Sequence, residues 1–86
     1  MSVTVPLKNP IKIGKEGKEV SELTFREADV GDLIAGEVAA KMGGQIAQVA
    51  ATLASMAGIT YPEMRQVKAK DFAAISAATS ALLGNE

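Results

Sequence analysis

Carboxylates are the main acid–base and metal-binding material in this chain, because histidine and cysteine are both absent. That removes the commonest general base, the imidazole and thiolate metal ligands, and the thiol nucleophile. Two carboxylate groupings remain close in sequence: Asp29 with Asp32, and Glu16 with Glu19 or Glu22. Paired acids of this kind can share a proton or hold a cation. Here each has a structural explanation. Asp29 and Asp32 stand where a helix start favours negative charge, and the glutamates lie beside a turn among Lys12, Lys15 and Lys18, where solvent screens them. The aspartates are not followed by further oxygen ligands at calcium-loop spacing. No catalytic residue, metal site or cofactor site is expected, and the chain is read as non-enzymatic.

Gly14-Lys15-Glu16-Gly17-Lys18 superficially resembles a phosphate-binding loop, but it fails both requirements. The residue five before Gly17 is Lys12, and Lys18 is followed by Glu19, which would repel phosphate. A glycine turn between strands accounts for it. A serine carrying a prosthetic group would need an exposed helix start. Ser55, Ser76 and Ser80 fall in or beside predicted helix interiors, and Ser21 falls in a strand. Binding surface is what remains: Met42, Met56 and Met64 flank the middle of the chain, and flexible thioethers either fill gaps in a thin core or accept varied partner side chains.

The 86 residues allow one domain, residues 1–86, with one modest core. Aromatic side chains are limited to Phe25, Tyr61 and Phe72, so the core is thin and self-association is expected to add to stability. A formal net charge of -1 provides no basic field for phosphate backbones, so nucleic acid is not an expected partner. The lack of cysteine fits a reducing compartment. Met1 to Pro10 has neither the basic start nor the apolar run of a signal peptide, and a cytoplasmic location is expected. Met42 to Pro62 is free of charge and long enough to span a bilayer, yet Gly43, Gly44, Gln45, Gln48 and Thr52 make it too polar, and a soluble helix is expected instead.

These residues require an α+β fold: an N-terminal β-hairpin over 1–26, then a mostly helical part over 29–84 with three to four short helices. Val3, Val5 and Leu7 alternate, as do Ile11 and Ile13, with Pro6 and Pro10 interrupting the ladder near Lys8 to Pro10. The return strand carries Val20, Leu23 and Phe25; the three-residue step from Val20 to Leu23 requires a bulge near Ser21 and Glu22, or Val20 facing the turn. Asp29 caps a first helix bearing Val30, Leu33, Ile34 and Val38, which Gly43-Gly44 ends. A second helix runs from about Gln45 to Ala57 with Gly58 as its C-cap. Pro62 starts a short helical turn, and a last helix runs from about Asp71 to Leu83, closed by Gly84. Leu33, Ile34, Val38, Val49, Leu53 and Phe72 are expected in the core. Met42, Met64, Leu82 and Leu83 are expected to contact a partner.

The order of features resembles the small tail assembly proteins of contractile-tailed phages and prophages, the group that includes the Mu-like tail assembly chaperones. The resemblance rests on Leu7, Pro10-Ile11, a hairpin, Leu23-Thr24-Phe25-Arg26, the acidic start with Asp32-Leu33, and Asp71-Phe72 opening a last helix. Where a Pro-Thr step is usual after the arginine, this chain has Glu27-Ala28. The resemblance implies a chaperone that coats the helices of the tape measure protein in the host cytoplasm and is absent from the finished particle. It also implies that a longer, frameshifted form is common. The alternative is a small structural tail or connector subunit that self-assembles, which exposure of the Val3 to Leu7 edge would favour.

Overall fold

The computed structural model describes residues 2–83, beginning with an antiparallel pair of strands, β1 (Ser2–Ile13) and β2 (Lys18–Arg26). Between them Gly14 and Gly17 take φ of 76° and 65°, backbone that side chains with a Cβ disfavour, and Gly17 N–H donates to the Gly14 carbonyl at 3.2 Å. Val3 stands opposite Phe25, Val5 opposite Leu23, and Ile11 opposite Val20. The register breaks between Pro6 and Ile11, where residues 7–10 stand against Ser21 alone. The bulge therefore lies on β1, at the proline-bounded segment. It brings Val20 and Leu23 to the same face although they are three apart.

Helix α1 (Val30–Ala57) starts with a reciprocal capping box between Asp29 and Asp32 and ends at Gly58 in the left-handed conformation. It is not one rod. Gly44 adopts φ 77°, ψ −158°, a conformation open essentially to glycine alone, and breaks α1 into an arm, residues 30–43, and an inner segment, residues 45–57. The expected helix boundary at Gly43-Gly44 is thus observed. Helix α2 (Tyr61–Met64) is a single turn with Thr60 and Glu63 forming its own capping box around Pro62. Helix α3 (Ala69–Thr79) continues into a 3-10 turn, Ser80–Leu83; Gly84 lies outside the described residues. Because α3 begins two residues before the expected Asp71, that aspartate sits within the first turn and not at its start.

The core forms where one face of the hairpin meets the inner segment, α2 and α3. Phe25, Leu53 and Ile75 are completely buried, joined by Val5, Ile11, Leu23 and Met56. Side chains from the helices also seal the outer edge of β1. Both carboxylate oxygens of Asp71 accept from bulge amides, Lys8 N–H at 3.1 Å and Asn9 N–H at 3.0 Å. The Gln66 amide accepts from Lys12 N–H at 2.9 Å and donates to the Lys12 carbonyl at 2.7 Å, and Glu63 accepts from Gly14 N–H at 2.6 Å. Backbone groups that the bulged ladder cannot pair are thereby satisfied, and an edge otherwise available for strand addition is closed from Lys8 to Gly14.

The expected core is corrected at three positions. Leu53 is buried and Val49 and Phe72 are half-buried, but Leu33, Ile34 and Val38 are 51%, 57% and 61% exposed. The arm packs through its small side: a Cβ on Gly36 would collide with Thr52 Oγ1 and stand 2.8 Å from the Gln48 carbonyl oxygen. That approach is possible only with glycine facing inward, which leaves the large apolar residues facing out.

Candidate protein-docking surface

The arm is held at its root by an ionic node in which a half-exposed Arg26 meets a buried carboxylate. Asp32, 1% exposed, accepts from both terminal nitrogens of Arg26 at 2.7 and 2.8 Å, from Asp29 N–H at 2.8 Å and from the Ser55 hydroxyl. Arg26 comes from the end of β2 and Ser55 from the inner segment, so one carboxylate ties three elements together. Hydrogen bonding from Arg26 outweighs burial and holds the Asp32 carboxyl far below the usual carboxylate range. The Asp29–Asp32 pair is therefore committed to capping and to this node. Among the described residues no cluster of three or more His, Cys, Asp or Glu is placed to hold a metal.

Above the node, the large apolar side chains that are well exposed among the described residues all fall between Val30 and Ile46. Val30, Ile34, Val38, Met42 and Ile46 follow one another at four-residue steps, with Leu33 beside them. Within the arm, four-residue steps keep Val30, Ile34, Val38 and Met42 close together along the outer face, Ile46 lying beyond the break at Gly44, and fully burying one Val, Leu, Ile or Met contributes about 1.5–3 kcal/mol. Exposed apolar stripes of this kind are characteristic of surfaces that meet another molecule.

Beside the stripe lies an apolar groove of about 700 Å3, with Val38, Ala39 and Met42 on one wall and Ala51 and Ala54 on the other. A second groove of about 470 Å3 continues past Ile46 and Ala50 to Val67 and Phe72. Gly43, Tyr61 and Arg65 line both, so the two grooves meet beneath the break in α1. Arg65 lies over the Tyr61 ring at 5.9 Å from its centroid, a cation–π contact at the junction.

Of the residues expected at a partner contact, Met42 is 92% exposed on the stripe, whereas Met64 and Leu82 are 2% and 3% exposed in the core and Leu83 is half-buried. Met64 faces inward because the α2 turn packs against α1; its side chain also forms part of the floor of the second groove. The exposure of Leu33, Ile34 and Val38, read from periodicity as core, is what sequence reasoning missed, while Met42 on the same stripe was expected at a contact. Its signal was the run Asp32, Gly36 and Gly43 on the other side, small or polar residues that only a close neighbour needs.

A protein-family model described as "Phage tail assembly chaperone proteins, E, or 41 or 14" matches residues 4–84. No curated protein and no solved structure gives a significant match to the chain.

Proposed function

The chain belongs to the phage tail assembly chaperone family, and from that premise we propose that it binds the tape measure protein and keeps it soluble during tail assembly, without catalysis. The observation that carries this reading is the outward apolar stripe from Val30 to Ile46 with the groove beside it. A long, partly apolar helix needs many weak contacts that can later be released, and this surface provides the helix-in-groove mode. In the absence of the partner, copies of the chain cover the same surface on one another, giving a homo-oligomer. The chaperone acts in the bacterial cytoplasm and leaves before the virion is complete. Closure of the β1 edge covers Lys8 to Gly14 and not Val3 to Leu7, the segment whose exposure would favour a permanently self-assembling subunit, so particle composition separates the two readings.

The test is co-expression with the tape measure protein of the same phage or prophage. The two proteins are expected to co-purify, and the chain is expected to be missing from assembled particles. Stoichiometric presence in particles would overturn the chaperone role. Solution mass of the chain alone checks the second part: a folded strict monomer at micromolar concentration removes the homo-oligomer.

A further inference from the structure

The apolar ridge of the arm is flanked by a second ridge that carries charge. Leu33, Glu37 and Lys41 follow one another at the same four-residue step as Val30, Ile34, Val38 and Met42, and all of them are exposed. At about 3.6 residues per turn, Glu37 and Lys41 project about 20° to either side of Val30, away from the buried Asp32 and Gly36. Among the described residues the ion pairs are those of Arg26, so neither Glu37 nor Lys41 is paired within the chain. The outer face thus offers apolar side chains together with one acid and one base, four residues apart.

Packing of ridges into grooves restricts how a second copy can cover this face. In a two-fold contact the same patch meets itself, with the arms either parallel or antiparallel. Parallel arms set Glu37 against Glu37 and Lys41 against Lys41. Antiparallel arms bring Glu37 opposite Lys41 of the second copy when the two-fold passes the level of Ala39. At that level Met42 falls midway between Ile34 and Val38 of the second copy, and Val38 falls midway between its Val38 and Met42, so the ridges interdigitate. A two-fold at Val38 would stack Val38 on Val38, and one at Glu37 would interdigitate equally well but oppose two carboxylates.

Resting on the reading that copies of the chain cover this surface on one another, we infer that they do so as a two-fold dimer of antiparallel arms centred on Ala39, with Glu37 of each copy beside Lys41 of the other. The contact is isologous and occupies the ridge of both copies, so it closes at two and does not propagate. An interface no longer than one arm, about 20 Å, is at the weak end of the size range, and an incoming apolar helix can displace one arm from the other.

Because the chain has no cysteine, a single introduced thiol reports the distance between copies. Val38→Cys and Val30→Cys are each treated with a short thiol-to-thiol cross-linker at high protein concentration. In the proposed dimer the two copies of residue 38 lie about 3 Å apart along the pair and those of residue 30 about 27 Å apart, so cross-linking is expected at 38 and not at 30. Cross-linking at both positions means parallel arms and overturns the inference. A chain that sediments as a dimer without cross-linking at 38 overturns the arm pairing alone, whereas a strict monomer overturns the homo-oligomer with it. Glu37→Lys turns two attractive pairs into repulsive ones and is expected to weaken the dimer about tenfold at low salt, while Glu37→Lys combined with Lys41→Glu restores it. Melting of the dilute chain separates this from the pairing of 37 with 41 inside one helix, which needs no second copy. Unchanged dimerisation of Glu37→Lys overturns the register.

Discussion

Along the seam between β1 and α3, the amides of Lys8 and Asn9 end on Asp71 while Ile75 is wholly buried beneath them; along the arm, Ile34 and Val38 are more than half exposed. Both regions present apolar residues at regular helical spacing. What separates them is the inward-facing side chain at the point of closest approach. On α3 the inward positions are Asp71, Ile75 and Thr79, large enough to fill space against the hairpin, and Thr79 returns its hydroxyl to the Ile75 carbonyl at 2.7 Å. On the arm they are Asp32 and Gly36, and Gly36 brings the two parts of α1 so close that no large side chain fits between them. The seam is finished within the chain, whereas the arm leaves its large apolar side chains exposed.

The largest expected break in this contrast comes from Asp32→Ala. It strips Arg26 and Ser55 of their shared acceptor and should lower stability by about 2–4 kcal/mol in urea unfolding, with amide exchange accelerating first along residues 30–43 and last along the seam. The acid limb changes too. Because the folded state depresses the Asp32 pKa, its stabilisation is complete above the ordinary aspartate value of about 4 and is lost as pH falls below it, so the variant should lose that part of its acid sensitivity. An unchanged unfolding curve would show that the arm is not held at its root.

A smaller effect is expected for Gly36→Ala. Helix propensity alone favours Ala by about 1 kcal/mol. Against that, the new methyl would press on Thr52 and on the Gln48 carbonyl oxygen, and a net loss of about 1–2 kcal/mol is expected. A rise in melting temperature would mean that the two parts of α1 do not pack as closely as described.

The smallest effect on stability, and the sharpest on binding, belongs to Ile34→Ser with Val38→Ser. Both side chains are outside the core of the single chain, so unfolding at concentrations where the chain is monomeric should shift by no more than about 0.5 kcal/mol while co-purification with the tape measure protein falls away. A large loss of stability in that monomer would place these residues in a core after all.

Much of the chain was legible before folding was considered. Glycines at positions 14 and 17 marked the turn, Gly58 and Pro62 marked helix ends, and the missing histidine and cysteine narrowed the possible chemistry. These are local signals, set by the φ a residue tolerates or the functional group it carries, and they need no neighbour distant in sequence. The stripe of Val30, Ile34, Val38 and Met42 was legible as a stripe but not as a surface. Periodicity reports that one side of a helix is apolar; it does not report whether that side meets its own chain or another.

The sequence by itself determined a hairpin, the break at Gly43-Gly44 and the caps Asp29 and Gly58, because each rests on backbone preferences within a few residues. Only the tertiary structure decided that Gly36 faces inward, that Asp71, Gln66 and Glu63 seal β1, and that the stripe faces out. The physical reason is that closest approach and amide satisfaction are properties of pairs far apart in the chain: Lys8 with Asp71, Gly36 with Thr52. Neither partner carries a sign of the other until the chain brings them together.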